Sequence, residues 1–402
     1  MTRHLLKLVW NRKRANALMI LETCVSFLVV FAVATLGLFF LDNYRQPLGF
    51  EWKDVWAVSI GRGQNTNEAS KADLDAQRAT FERLLQEVRS LGPVAAAAGS
   101  AVTPFDQGGM SSGYKIDGKD VRMDINVAGE GFDKVMGLRM VAGRWFEKGD
   151  GGQGWNPIVI DQDLARTVYG SADPIGKNFG SPAPEELQLR VIGVVNDFRK
   201  AGELMPNGNF MFQLQRQGGG PDARLPSHLL VRIQAGTPAE FEEALVKRMQ
   251  EVAPDWSFEV QPLSQVRASS FRFFLTPLIV AGTVAFFLLL MVGLGLIGVL
   301  WQNLLQRTRE IGLRRATGAS RAAVHRQVIL EQLLLTTLGV SIGTLLVVQV
   351  PILDLIDVLS RPVFAGGLVL ALTVIYVISI LCVLYPSTLA ARVQPADALR
   401  YE

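Results

Sequence analysis

Four stretches of the chain, residues 17–41, 273–301, 328–350 and 363–385, are apolar over lengths that a soluble helix rarely sustains. Crossing the hydrocarbon layer takes about 20 mostly apolar residues. Residues 24–41 and 273–301 hold no charge at all, whereas a buried helix of that length in a soluble protein shows a polar stripe. Four membrane-spanning helices are therefore predicted. Between the first two the pattern changes. Residues 55–60 alternate as a strand, 73–91 carry helical spacing through Leu74, Phe81, Leu84, Leu85 and Val88, and 94–102 are small and apolar like a buried strand. The same order returns later, with a strand over 228–234, a helix over 238–252 and a strand over 256–261. Two βαβ-like units thus flank an inserted lobe at about 103–226, in which short strands are expected at 122–127, 157–160 and 187–195. Its glycine-rich runs, 149–154 and 218–220, read as mobile loops. The expected fold class is an α-helical membrane protein with four transmembrane helices and a large α/β extracytoplasmic domain, built from two βαβ-like units plus an inserted mixed β lobe.

Basic residues orient the spans, because Lys and Arg near helix ends are retained in the cytoplasm. Arg3, Lys7, Arg12, Lys13 and Arg14 precede the first span with no acid among them, and Arg307, Arg309, Arg314, Arg315, Arg321 and Arg326 face a single Glu310 between the second and third. Asp354 and Asp357 outweigh Arg361 between the third and fourth. Both termini are therefore expected in the cytoplasm. The expected organisation is a cytoplasmic amphipathic helix (1–16), a first span (17–41), a periplasmic or extracellular α/β domain (42–272) and a second span (273–301). A cytoplasmic coupling segment (302–327), third span (328–350), short outer loop (351–362), fourth span (363–385) and cytoplasmic tail (386–402) complete it. The protein is expected as a multi-pass component of a bacterial inner (plasma) membrane. The first apolar run continues to Leu41, beyond the usual cleavable core, and reads as an uncleaved signal anchor. The two cysteines, Cys24 and Cys382, both fall in spans, so the outer domain holds together without a disulfide.

The segment 302–320 is basic and helix-patterned. A helix from about Asn303 places Leu304, Ile311 and Ala319 on one face, with arginines around the rest. Gly312 permits close backbone approach, Gly318 suits a helix end, and Ser320 can cap the following helix. Glu310 is the lone acid among six arginines, a candidate for a specific ion pair. The plainer reading is that these arginines satisfy topology and bind anionic lipid. Residues 1–16 are amphipathic, with Leu5, Leu8, Val9 and Trp10 beside Lys7, Arg12 and Lys13, and are expected along the membrane surface. Glu22 and Glu331 enter apolar spans near their cytoplasmic ends, where a structural role is expected. Gly282, Gly293, Gly295 and Gly298 in the second span allow close helix packing.

Catalytic and nucleic-acid readings find little support. The three histidines, His4, His228 and His325, are too scattered for a metal or triad set, and Glu185-Glu186 and Glu242-Glu243 read as solvated turn or helix faces. The formal net charge is only +3, and no nucleic-acid partner is expected. No GxxxxGK[ST] phosphate loop occurs in these 402 residues; Gly176-Lys177 lacks the upstream glycine and is followed by Asn178.

Several phrases resemble the periplasmic core domain of MacB-like and FtsX-like transporter permeases. They are Met136-Gly-Leu-Arg-Met-Val-Ala-Gly-Arg-Trp-Phe146, Ile158-Val-Ile-Asp-Gln-Asp-Leu-Ala165, Tyr169-Gly-Ser-Ala-Asp-Pro-Ile-Gly-Lys177 and Val191-Ile-Gly-Val-Val-Asn-Asp-Phe-Arg199. The run Arg307-Thr-Arg-Glu-Ile-Gly-Leu-Arg-Arg-Ala-Thr-Gly-Ala-Ser320 is similar to that family's cytoplasmic loop, and Gln394-Pro-Ala-Asp-Ala-Leu-Arg400 to its C-terminal tail. The resemblance covers nearly the whole chain in order. It implies a non-catalytic permease subunit of an ATP-binding cassette system, with no cofactor of its own and ATP bound by a partner. The implied partners are a cytoplasmic ATPase dimer, a second permease subunit in a homo- or heterodimer, membrane lipid and a periplasmic adaptor or membrane-fusion protein. The implied role is mechanotransmission of ATP-driven change to the outer domain, for export or efflux. The alternative is an FtsX-like regulator or receptor controlling a periplasmic partner such as a cell-wall hydrolase. The residues expected to couple to the ATPase are Arg307, Arg309, Glu310, Ile311, Gly312, Leu313, Arg314, Arg315, Gly318, Ala319 and Ser320.

Overall fold

The computed structural model describes residues 13–62, 71–116, 118–152, 154–180, 187–214, 225–306, 313, 320–353 and 359–392. The chain divides into two compact units, one of Met1–Asp42 with Phe274–Glu402 and one of Asn43–Phe273.

The apolar unit is helical. Helix α1 runs Lys13–Tyr44. After the smaller helices of the other unit (α2 to α5, below) come α6 (Leu263–Gln306), α7 (Arg321–Val347), the short α8 (Gln349–Ile352) and α9 (Arg361–Arg392). Four of these are long and apolar enough to span a bilayer. Their surfaces are apolar on most sides: Ile279, Phe287, Met291 and Leu294 of α6 are all more than half exposed, which suits a lipid-facing surface. The closest approaches fall at glycines of α7 and α9, away from those of the second span; a Cβ at Gly367 of α9 would collide with Thr35 of α1. A Cβ at Gly339 would stand 2.8 Å from the Ile20 carbonyl oxygen, and one at Gly343 would stand 2.5 Å from Cδ1 of the fully buried Phe27, so only glycine lets α1 lie this close. In the second span, Gly293 and Gly295 face Cys382 and Glu22, whereas Gly298 faces open space.

Among the described residues, the other unit is one 11-stranded sheet with helices. Strand β1 (Val55–Gly61), helix α2 (Lys71–Ser90) and strand β2 (Val94–Ser100) form the first predicted unit. Strand β10 (His228–Ile233), helix α5 (Phe241–Val252) and strand β11 (Ser257–Pro262) form the second. The two interlock, in the order β11-β1-β10-β2 with every neighbouring pair antiparallel. Each βαβ unit therefore spans a strand of the other, the split βαβ arrangement. Alternation along β1 separates two cores. Trp56, Val58 and Ile60 meet Phe81, Leu84, Leu85 and Val88 of α2, while Val55 and Ala57 point to an aromatic cluster on the opposite face.

The inserted lobe continues the sheet through a single residue pair, Ser100 with Ala128. Strands β3 (Met110–Ile116) and β4 (Lys119–Ala128) form a hairpin, followed by helix α3 (Phe132–Met136), β5 (Met140–Gly143), β6 (Asn156–Asp161) and helix α4 (Gln162–Tyr169). Strands β7 (Asn178–Phe179), β8 (Leu189–Val195) and β9 (Phe210–Leu214) complete it, in the order β4-β9-β6-β8-β5. Its aromatic core stacks Phe132 on Trp145 and packs Phe198 against Phe50, Phe210 and Phe212. One expected mobile loop is fastened. Arg144 makes two hydrogen bonds to the buried Asp150, at 2.6 and 2.8 Å, and Asp150 also accepts from the Glu147 amide, so the glycines around it form a tight turn. The run 218–220 lies outside the described residues.

Candidate functional site

Of the predicted coupling residues, Leu313 and Ser320 are described; Arg307, Arg309, Glu310, Ile311, Gly312, Arg314, Arg315, Gly318 and Ala319 lie outside the described residues. Leu313 is 58% exposed. Ser320 has extended backbone (φ −70°, ψ 154°) and its Oγ accepts from the Ala323 amide at 3.2 Å, capping α7. The first turn of α7 has no acid and begins with the exposed Arg321. A cation at a helix start opposes the dipole by a few tenths of a kcal/mol.

Among the described residues of the spans, some polar side chains donate to carbonyls of their own helix, as Thr23 and Ser26 do to Met19 and Glu22, and three pairs bond to one another. Thr336 Oγ1 donates to Ser379 Oγ at 3.0 Å and Thr337 meets Tyr376 at 2.9 Å, joining α7 to α9. Gln327 donates to Glu331 at 2.9 Å, within one helix. These bonds favour one helix register, as polar groups in an apolar medium do.

In the outer unit the structure gathers residues that sequence reasoning did not connect. Arg199, the last residue of a family-like phrase, is 3% exposed. Its guanidinium donates to the carbonyls of Gln46, Glu203 and Met205, while its own amide donates to Leu48. Burial pulls its pKa down and nearby Glu203 opposes the shift. The Glu203 carboxylate accepts from Arg267 Nε at 2.6 Å, and Arg267 lies over the rings of Trp52 and Phe271 at 4.6 and 4.7 Å. The loop between β8 and β9 is therefore bonded both to the residues that follow α1 and to the first turns of α6. A cleft of about 440 Å³ lies beside it, lined among others by Gln162, Asn196, Asp197, Arg199 and Asn207. A second, of about 590 Å³, is lined by Arg89, Glu130, Trp145 and Lys148; Arg89 there donates to the carbonyls of Ala97 and Glu130.

Beside the first cleft stands an acidic group. Asp161, at the end of β6, is fully buried; its Oδ1 accepts from the amides of Leu164 and Phe210 at 2.9 and 3.1 Å. Burial pushes its pKa up to about 8, the two amides oppose this, and repulsion from Asp163 and Asp197 adds to it. Burial and the Asp163 charge also raise Asp197, against the pull of Arg166. Arg166 pairs with both Asp163 and Asp197.

Residues 17–268 match the MacB-like periplasmic core domain, and residues 282–395 match the FtsX-like permease C-terminal domain. The chain belongs to the MacB/FtsX-like family of ABC transporter permeases. The macrolide export ATP-binding/permease protein MacB of Bordetella avium is 28% identical over 69% of this chain but only 43% of its own length. The uncharacterized ABC transporter permease YknZ of Bacillus subtilis is 23% identical over 69% of this chain and 70% of its own. The crystal structure of the periplasmic region of MacB from Actinobacillus actinomycetemcomitans aligns with 57% of this chain at 16% identity and a TM-score of 0.37. The chain thus spans less than half of the MacB relative it matches and most of the YknZ permease. The permease's family-like phrases form its structural joints. The run 158–165 is the end of β6 and the start of α4, including Asp161 and Asp163, and 191–199 is most of β8 with the start of the loop that follows it, including the buried Arg199.

Proposed function

We propose that this permease works as a dimer, paired with a separate cytoplasmic ATPase dimer, and transmits ATP-driven movement of its spans to its outer unit to drive export. In this reading it lies in a bacterial inner membrane with both termini cytoplasmic. The segment 302–327 docks the ATPase, residues 1–16 lie on the lipid surface, and a periplasmic adaptor receives the outer unit's motion. Arg307, Arg309, Arg314 and Arg315 face acidic ATPase surface, and Glu310 supplies the one specific ion pair. Ile311 and Leu313 fill an apolar hollow, while Gly312 allows backbone contact. Gly318, Ala319 and Ser320 end the docking helix and start α7.

The observation that supports this best is the Arg199–Glu203–Arg267 network. A shift in the residues next to either span would be carried into the β8–β9 loop through charged, partly buried hydrogen bonds, which are about twice as strong as neutral ones. The test reconstitutes the full chain with its ATPase in lipid and introduces Gly312→Leu and Glu310→Arg. Both variants should insert normally yet lose ATPase binding or transport-linked hydrolysis, and the permease alone should hydrolyse no ATP. If both variants bind the ATPase and support full transport, the segment is a topology signal alone. Control of a periplasmic enzyme without export would instead favour the regulatory role.

A further inference from the structure

The acidic group beside the cleft lies outside the Arg199–Glu203–Arg267 network, yet three of its members converge. Asp161, Asp163 and Asp197 each present a carboxylate oxygen, and these oxygens lie within 4.8 Å of one another. The first two flank the turn from β6 into α4, and the third comes from the loop after β8. Asp161 is fully buried, and although its Oδ1 is satisfied by two amides, its Oδ2 is buried with no hydrogen-bond partner. Asn207 reaches the same group from the far end of the β8–β9 loop. Its amide nitrogen donates to Asp163 Oδ2, and its carbonyl Oδ1 is buried without a partner. Two buried acceptors are thus orphaned within one group of linked residues.

A buried acceptor left without a partner costs about 1–3 kcal/mol, so its presence asks for a ligand. Among the described residues, Arg166, whose side chain is 62% exposed, pairs with Asp163 and Asp197, and no ion pair reaches Asp161. A further positive charge on the buried side would relieve the repulsion and satisfy both orphaned oxygens together.

We propose that Asp161, Asp163, Asp197 and Asn207 bind a hard divalent cation, calcium before magnesium, which staples the β8–β9 loop to the start of α4. The donors are all oxygen, with no histidine or cysteine, which selects alkaline-earth ions over zinc. Four protein oxygens leave room for water from the adjoining cleft, which suits the six to eight ligands of calcium. The stapled loop is the one that carries Arg199 and Glu203, so the ion would stiffen the joint that grips Gln46 and Arg267.

The experiment uses the full chain in phosphatidylcholine nanodiscs, stripped with a chelator and followed by tryptophan fluorescence during heating. Calcium chloride, magnesium chloride and sodium chloride of matched ionic strength form separate arms, and equilibrium dialysis against radioactive calcium counts the bound ions. Calcium should raise the melting temperature by several degrees, with half-saturation at about 0.1–1 mM, the range of extracellular calcium modules, and one ion per chain should bind. Asp163→Asn and Asp197→Asn should each weaken the response at least about tenfold, while the stripped variants keep the wild-type circular dichroism. Should either variant misfold, Asn207→Ala takes its place. A response to either divalent ion that the variants abolish supports the site, and the ion acting at lower concentration identifies the ligand. No divalent response, a response equalled by sodium, or one unchanged in the variants overturns it.

Discussion

Asp161→Asn separates the charge of the buried carboxylate from its hydrogen bonds. The asparagine keeps an oxygen to accept from the Leu164 and Phe210 amides, so the cap on α4 and the tie to β9 survive. What it removes is titration. In the ion-free fold the carboxyl titrates at about 8, against 3.8 for the ordinary group, because the charged form is desolvated and faces Asp163 and Asp197. A folded value above the unfolded one means that the fold prefers the protonated acid. Its stabilising effect is complete below pH 4 and is lost as pH rises toward 8. Each unit is worth about 1.4 kcal/mol, so the full window sets a ceiling of about 6 kcal/mol; relaxation and water entry bring the expected loss to about 3–5 kcal/mol. At about 2–4 °C per kcal/mol for a unit of this size, wild type should melt some 10 °C below Asp161→Asn at pH 8 and within a few degrees of it at pH 4.5, both in chelator. His228, whose pKa burial lowers, destabilises the fold below about pH 6.5, but equally in both proteins, so it cancels in the difference. Tryptophan fluorescence of the full chain reads the transition, since Trp52, Trp56, Trp145, Trp155 and Trp256 all belong to the outer unit. A difference that does not change between pH 4.5 and 8, or an asparagine variant less stable than wild type at pH 8, would refute the reasoning.

Gly343→Leu should destabilise the helical unit by about 2–3 kcal/mol or prevent its assembly, because the new side chain meets Phe27, whereas Gly298→Ala, with open space around it, should change thermal stability in detergent by less than about 0.5 kcal/mol. Arg267→Ala should cost the outer unit about 2–4 kcal/mol by leaving the buried Glu203 carboxylate unpaired, and adding Glu203→Gln should recover part of that loss in denaturant unfolding.

Periodicity carried most of the local structure. The predicted strands 157–160 and 187–195 correspond to Asn156–Asp161 and Leu189–Val195, and the predicted helix 73–91 to Lys71–Ser90, because each buries an apolar face at its own repeat. The hairpin strand Met110–Ile116 escaped notice, since its residues alternate between partly buried and exposed and it holds mostly small and polar side chains. Strand order was also out of reach. Two repeated βαβ patterns read the same whether they stand side by side or interlock, and only pairing between residues far apart, such as Val55 with Arg232, decides it.

The functional residues divide along the same line. A cap such as Ser320 is legible because its cause is local: a serine before an apolar run. The network of Arg199, Glu203 and Arg267 and the group of Asp161, Asp163, Asp197 and Asn207 draw on residues up to about 70 positions apart, joined by a loop whose path no period encodes. Asp161-Gln-Asp163 did leave a trace, two acids at the start of a helix that follows an apolar strand, which alone reads as a cap with a favourable dipole. The burial of Asp161 distinguishes the two readings. A cap at the surface would have water for its second oxygen, and this one has none, so the same two letters that end a strand also leave a charge for which the fold must find a proton or a cation.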